Sequence, residues 1–407
     1  MPGYASYFWA ERTADNRRRA YSRFRGDATA DVVVIGGGLT GCAAAYGLAG
    51  AGLKVVLLEG ERLANGATAG GIGAIVPQPD AQFADVEVAS SVRAARIGWK
   101  EAKRASLEFA TVLKKLSIKS GVEPAPLFIN ARTSADLVAL KREQAARKKG
   151  GVEAPWVSAQ SARAALGLDS AGAMKLSPGF QFDPVRAALG LAGAAEAKGA
   201  RIFERSLVKR TTFTRKDARV VLANGSIRTR GVVVATGEPG DVFGQLRRHV
   251  RQSEGYAVVT HPLTKAMRNE IGAREGILTE LSADAHWLRW LPDNRILFAG
   301  ELGKPTKDRQ REKVLVQRTA ELMYELSVRY PAMSGLPAAW SWATPVVSTL
   351  DGLPWIGPHR NYPHHFFALA TGWHGDALAW YAARSAVRFF RGAATKDDEV
   401  MGFARYL

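Results

Sequence analysis

The stretch from Asp31 to Leu58 constrains this chain more than any other. Asp31 to Ile35 (DVVVI) is an unbroken apolar run, as a strand buried on both faces requires. Leu39 to Ala51 reads as a helix rich in small residues (Ala43, Ala44, Ala45, Ala49), and Lys54 to Leu58 (KVVLL) as a second buried strand. The spacing predicts a tight βαβ unit. Gly36-Gly37-Gly38-Leu39-Thr40-Gly41 places G-x-G-x-x-G between strand and helix. Gly36 permits the sharp turn, Gly38 lets a pyrophosphate approach the backbone, and Gly41 lets helix and strand pack closely. Leu39 and Thr40 open the helix, whose free amides and dipole receive phosphate charge. Glu59 stands 18 positions after Gly41 (59 − 41), at the end of the second strand. Its carboxylate can accept from ribose hydroxyls and repels a 2′-phosphate. The bland alternative is a glycine-rich turn that binds nothing.

The rest of the chain is long enough for two sizeable cores at 407 residues. No apolar run approaches the roughly 20 residues of a membrane span, and residues 1–25 lack the apolar stretch of a secretory signal. The single cysteine, Cys42, excludes an intrachain disulfide and a multi-cysteine metal site. It reads as a buried structural thiol in a reducing, cytoplasmic setting. No metal spacing is found; His359, His364 and His365 make none with carboxylates. The net charge of +18 raises an acidic partner. The basic clusters are scattered, however, with no RNA-binding motif and no interleaved aromatics, so nucleic acid is not the expected partner.

The periodicities predict helices over Ala84 to Leu116 and Ala135 to Lys149. Another starts at Asp183-Pro184 and runs to Lys198, with Asp as cap. Asn224-Gly225 predicts a hairpin between Arg219 to Leu222 and Ser226 to Arg230. Val232 to Thr236 reads as a separate buried strand. Tyr256 to Thr260, His286 to Trp290 and Arg295 to Ala299 predict an antiparallel, aromatic-rich sheet. Phe366 to Ala370, the turn Thr371 to Gly375 and the helix Ala377 to Phe390 return to the first style. The fold class is therefore α/β: a Rossmann-type domain with an interleaved α+β domain on a mixed, largely antiparallel sheet. The expected division is 28–95, 152–245 and 338–395 for the nucleotide domain, with 96–151 and 246–337 for the substrate domain. An N-terminal arm (1–27) and a C-terminal tail (396–407) complete it.

Three features favour FAD over NAD. Gly66 to Gly73 (GATAGGIG) follows Glu59-Gly60 closely, so that Ala67, Thr68, Gly71 and Ile72 can run beside a flat ring and a second phosphate. The strand VVVATG ends, at Thr236 and Gly237, on the same nucleotide edge. The turn Gly372-Trp373-His374-Gly375-Asp376 precedes a helix whose N-terminus suits negative charge at the N1–C2=O edge of reduced flavin.

Seven segments, in this order, resemble the FAD-dependent D-amino-acid oxidase/glycine oxidase/sarcosine oxidase superfamily, closest to bacterial γ-glutamylputrescine-oxidase-like members. They are DVVVIGGGLTGCAAAYGLAGAGLKVVLLEGERL, GATAGGIGAI, FDPVRAALGLAGAAEAKGARIFERS, GVVVATG, LPDNRILFAGE, STLDGLPWIGP and FALATGWHGDALAWYAAR. The resemblance implies hydride transfer to flavin N5 from a carbon bearing an amine, then imine hydrolysis, with O2 or another acceptor reoxidising the flavin. It also implies that Gly36, Gly38, Gly41, Glu59, Arg62, Thr68, Gly71 and Val208 contact the ADP and ribityl parts. Gly372, Trp373, His374, Gly375 and Asp376 would lie against the ring. Cys42 is in the wrong place for a covalent link and the GATAGGIGAI loop has no His, so FAD is expected to be non-covalent.

Substrate residues are less legible. Relatives that oxidise free amino acids place an arginine before the T-x-D-G-x-P segment, yet no Arg or Lys lies between Ala338 and His359 here. A carboxylate clamp would have to come from elsewhere, with Arg289 the candidate. An amine without an α-carboxylate is at least as well served. His374 is a candidate base for a substrate ammonium or a flavin-orienting residue. Trp373 is bulky where the family is small. His286, with Trp287 and Trp290, is a candidate cage for a cation or plain sheet packing. Trp340, Trp342 and Tyr256 are pocket-or-core cases. A flavoenzyme acting on a modified tRNA base and a non-catalytic FAD-binding protein remain as alternatives.

Overall fold

The computed structural model describes residues 6–13, 18–272, 274–281, 285–373 and 376–406. Two eight-stranded sheets organise it. In the nucleotide sheet the strand Gly26–Ile35 lies between Val55–Leu58 and Gly225–Gly237, parallel to both. Arg201–Phe203 and Tyr362–Leu369 extend the parallel block at its two sides. Val34, opposite Leu57 and Val233, is fully buried, as the uninterrupted apolar run requires.

The helix Leu39–Gly50 packs on one face of this sheet with Pro184–Ala197 and Asp376–Phe390. Asp183 caps its helix by accepting from the Arg186 amide at 2.9 Å, with Pro184 at the first turn. The second arm of the hairpin and the VVVAT run form one continuous strand, Gly225–Gly237. Gly231 within it leaves room for the Phe390 ring, which would stand 2.1 Å from a Cβ. The expected helix from 84 to 116 is two, Phe83–Ala89 and Val92–Lys115; the second is capped by Ser91, which accepts from the Ala94 amide.

The second sheet runs over the first as a roof. Its central antiparallel strands are Ala338–Ser348, Arg251–Thr260, Ile296–Gly303 and Trp287–Trp290. Ile277–Thr279, Leu127–Ala131, Gly172–Leu176 and Trp156–Val157 complete it. Two expected boundaries move as a result: 156–176 and 338–348 belong to the roof. A third also moves. Val92–Lys115 packs on Asp376–Phe390, with Phe109 stacked on Trp380 at 5.7 Å and Arg384 paired with Glu101 and Glu108. These shifts rest on pairings between residues far apart in sequence, which local pattern does not report.

Strand alternation gives the roof two faces. Ala257, Val259, Trp287, Leu297, Ala299 and Trp342 join the core shared with the nucleotide domain. Tyr256, Val258, Leu288 and Phe298 pack instead against Leu315, Leu322 and Leu326 of the roof helix Arg311–Arg329.

Candidate active site

The glycine turn has the geometry a dinucleotide requires. Gly36 has φ +104°, and a Cβ there would stand 2.5 Å from the Ala235 carbonyl oxygen. A Cβ on Gly41 would meet the Gly36 oxygen at 1.8 Å, so helix and strand touch backbone to backbone. Gly38 occupies the cap position with no side-chain cap. The Leu39 amide donates to Thr68 Oγ1 at 2.9 Å, while the amides of Thr40 and Gly41 find no acceptor among the described residues. Bare amides at the positive end of a helix fit a diphosphate.

Glu59 is half-buried beside this turn. Its carboxylate accepts from Gly37 N–H at 2.6 Å and Glu61 N–H at 2.8 Å. Burial holds its carboxyl above the ordinary range despite these bonds. Gly60 lies against Leu207, and the Ser206 amide donates to the Glu59 carbonyl, so the segment leading into the strand at Val208 runs beside Glu59. Arg62 is half-buried on the following turn. Thr236 and Gly237 end the strand beside Gly36, and the Gly237 carbonyl accepts from the Ala370 amide at 2.9 Å.

The stretch 70–74, after the short helix Ala67–Gly70, is gripped residue by residue. Trp342 Nε1 donates to the Gly70 carbonyl at 3.1 Å and Trp9 Nε1 to the Gly71 carbonyl at 2.8 Å. Arg289 Nη1 donates to the carbonyls of Ile72 (2.9 Å), Gly73 (2.5 Å) and Phe182 (2.7 Å). The Ala74 amide faces the Asp376 carboxylate. Burial pulls the Arg289 guanidinium down to about 9, with Asp183 and Asp376 opposing the fall. Burial pushes the Asp376 carboxyl up to about 7, with the Ala74 amide and Arg289 opposing the rise. Arg289 Nε is buried without an acceptor among the described residues. An orphaned buried donor fits an incoming carbonyl oxygen.

Gly372 and Trp373 are held by Asp80, whose Oδ2 accepts from the Trp373 amide at 2.9 Å. The Trp373 ring lies against Gly255 of the roof, 2.7 Å from where a Cβ would stand. His374 and Gly375, expected beside the flavin, lie outside the described residues. Gly36, Gly38, Leu39, Thr40, Gly41, Glu59 and Thr68 thus come together at one end. Gly71, Ile72, Trp342, Arg289 and Asp376 come together at the other.

Two candidates do not join them. The Tyr256 hydroxyl bonds Glu254 and Thr306 on the outer side of the roof. His286 stacks on Phe298 at 5.0 Å and lies within 3.5 Å of Glu280 and 3.4 Å of Glu301, with Arg329 beside it. Both face the roof helix, because strand parity turns them away from the nucleotide domain. Trp290 shares that side. Arg289, the candidate for a carboxylate clamp, commits Nη1 to three backbone carbonyls and leaves Nε without an acceptor among the described residues. Trp9 and Asp80 were missed. A cluster of three aromatics (Tyr7, Phe8, Trp9) in an otherwise polar arm was the available signal for Trp9. Among the described residues no group of three His, Cys, Asp or Glu could hold a metal ion, and no helix is long and apolar enough to cross a membrane.

A dinucleotide turn beneath a mixed roof sheet, with a gripped backbone stretch between them, defines a flavin-dependent oxidoreductase by class. The chain belongs to the FAD dependent oxidoreductase family (DAO), whose model matches residues 31–388, and it is an FAD-dependent enzyme. It is 24% identical over 410 residues to the gamma-glutamylputrescine oxidoreductase of Escherichia coli, covering 100% of this chain and 93% of that one. It is 26% identical over 386 residues to the probable oxidoreductase OrdL of Haemophilus influenzae, covering 91% and 84%. Among solved structures, L-amino acid deaminase from Proteus vulgaris superposes with TM-score 0.75 at 17% identity, covering 94% of this chain and 99% of that one. Glycine oxidase from Geobacillus kaustophilus gives 0.73 at 18% identity, covering 91% and 96%. These structures establish the shared fold.

Proposed function

We propose that this enzyme oxidises the C–N bond of an amine, with an amine lacking an α-carboxylate preferred over a free amino acid. The observation that carries the preference is the make-up of the roof. Its inner face presents Trp287 and Trp342, with Trp373 against it, and Arg289 spends Nη1 on backbone carbonyls. An aromatic wall favours a neutral amine over a charged carboxylate. The whole-length similarity to a protein named for a γ-glutamylated polyamine supports the same reading.

In this proposal Gly36, Gly38, Leu39, Thr40 and Gly41 receive the pyrophosphate, Glu59 and Gly60 the ribose, and Arg62, Ala67, Thr68 and Val208 the flanking groups. Gly71, Ile72, Thr236, Gly237, Gly372, Trp373 and Asp376 frame the ring. FAD, when bound, supplies the hydride acceptor. The residues bind, orient and exclude water. The indoles of Trp287, Trp342 and Trp373 keep the pocket dry, which favours the neutral amine needed for transfer. The imine product hydrolyses in water, and O2 or another acceptor closes the cycle. A reducing, cytoplasmic compartment suits a chain whose lone thiol is buried.

The deciding experiment is anaerobic bleaching of the visible flavin band in the FAD-loaded protein by primary amines, polyamines, N-methyl amino acids and free amino acids. Amines are expected to bleach it fastest. Bleaching by free amino acids alone overturns the preference; bleaching by none overturns the reaction.

A further inference from the structure

We propose that the N-terminal arm is a working part of the cofactor site, with Trp9 the positioning residue that ties FAD binding to docking of the arm. The inference rests on the FAD-binding reading above and goes beyond it, because the arm lies outside the βαβ unit. The arm helix Phe8–Arg12 has only five residues, too few to hold together alone, so it exists by docking. Phe8 and Trp9 are 1% and 3% exposed, as deep as core residues.

The arm bridges the two sheets. Towards the nucleotide side, Trp9 Nε1 holds the Gly71 carbonyl at 2.8 Å. Tyr7 stands beside Gly70, where a Cβ would be 3.2 Å from its ring. Towards the roof, Phe8 packs edge-on against Trp340 at 5.2 Å, Trp340 Nε1 donates to Glu11 at 2.7 Å, and Arg12 pairs with Asp293 at 3.4 Å. The Trp9 ring also covers the Arg289 guanidinium, 4.8 Å from its centroid.

Gly71 is where such a hold matters. It has no Cβ to restrict its peptide, and it ends the single helical turn that begins at Ala67. Thr68, in the same turn, accepts the Leu39 amide at the diphosphate end. One rigid turn therefore joins the phosphate amides to the carbonyl that Trp9 holds. A ligand that orders this turn favours the docked arm, and a docked arm tightens the ligand to the same extent.

The test compares Trp9→Phe, which keeps the ring and removes the N–H, with Trp9→Ala, which removes both. FAD affinity is read by flavin fluorescence titration, the visible flavin spectrum is recorded, and melting is followed with and without FAD. Trp9→Phe is expected to weaken FAD binding about three- to tenfold, as loss of one hydrogen bond would. The flavin band should shift, and the apo protein should melt a few degrees earlier at most, from the lost bond itself. Trp9→Ala should weaken binding further and shrink the gain in melting temperature that FAD gives. Unchanged FAD affinity and spectrum in both variants overturns the proposal, even if both melt early. Failure of the unsubstituted protein to take up FAD would instead overturn the cofactor reading, and the proposal with it.

Discussion

Arg289 and Asp376 flank neighbouring residues of one backbone stretch: Nη1 of Arg289 donates to the Gly73 carbonyl at 2.5 Å, and the Asp376 carboxylate faces the Ala74 amide. One comes from the roof and the other from the first turn of the helix Asp376–Phe390. The pair fastens the two sheets through a segment that belongs to neither. Each charge is strained by burial in the direction that neutralises it.

That strain has a pH signature in the apo protein. A carboxyl raised to about 7 keeps its proton in the folded state at pH values where the unfolded chain, at its ordinary 3.8, has lost it. The folded state binds more protons across this window, so stability falls as pH rises from 3.8 towards 7 and is level above it. Asp376→Asn carries no such charge. Chemical denaturation from pH 4 to 8 should show the variant gaining on the original protein by a few kcal/mol at most. Parallel stability curves would show that Asp376 is not desolvated as the structure has it.

Two glycines of the turn should separate fold from cofactor. Gly41→Ala places a methyl 1.8 Å from the Gly36 carbonyl oxygen, and both are backbone-bound. Overpacking of this kind costs about 3 kcal/mol or more, so melting temperature and FAD uptake should fall together. In Gly38→Ala the nearest atom is Thr68 Oγ1 at 3.1 Å. The apo protein should melt within about 2 °C of the original. Its FAD affinity should fall about 10- to 100-fold, because the methyl stands where the phosphates approach. Equal affinity in Gly38→Ala, measured by fluorescence titration, would remove the diphosphate from this turn.

Tyr256 and His286 should be dispensable for the reaction. Their side chains face the roof helix, Tyr256 bonded to Glu254 and Thr306 and His286 stacked on Phe298. Tyr256→Phe and His286→Gln are expected to keep kcat/KM within about threefold while melting about 2 °C earlier. A hundredfold loss in steady-state turnover with intact folding would put them back in the site.

The nucleotide half was legible because its determinants are local. Strand, turn, helix and carboxylate follow one another from Asp31 to Glu59, and each states its role through spacing. The roof was legible as strands but not as faces. One residue of parity decides whether Trp287 or His286 looks inward, and an isolated aromatic run carries no marker for it. The grip on 70–74 was illegible for a different reason. Trp342 is separated from Gly70 by 272 positions and Trp9 from Gly71 by 62, and hydrogen bonds from an indole to a backbone carbonyl leave no trace in either local pattern. Asp80 was hidden likewise, 293 positions from the Trp373 amide that it accepts.

Trp373 offers the sharpest statement about what the pocket admits. Its ring is pressed on Gly255, and 2.7 Å to a notional Cβ leaves no room for any other residue there. Asp80 pins its backbone, which fixes where the ring is rooted. The indole therefore sets the depth available between the C-terminal turn and the roof. Trp373→Ala removes the largest group on that wall, and the ratio of kcat/KM for a bulky aromatic amine over a small aliphatic one should rise about tenfold or more. Stability should fall by about 3 kcal/mol or more, from the void left behind. Gly255→Ala presses on the same ring from the opposite side and should displace it or unseat the turn, weakening activity towards amines of every size. If the selectivity ratio stays constant in Trp373→Ala while the protein folds and binds FAD, the indole is only core packing, and the amine is bounded by the other tryptophans of the roof.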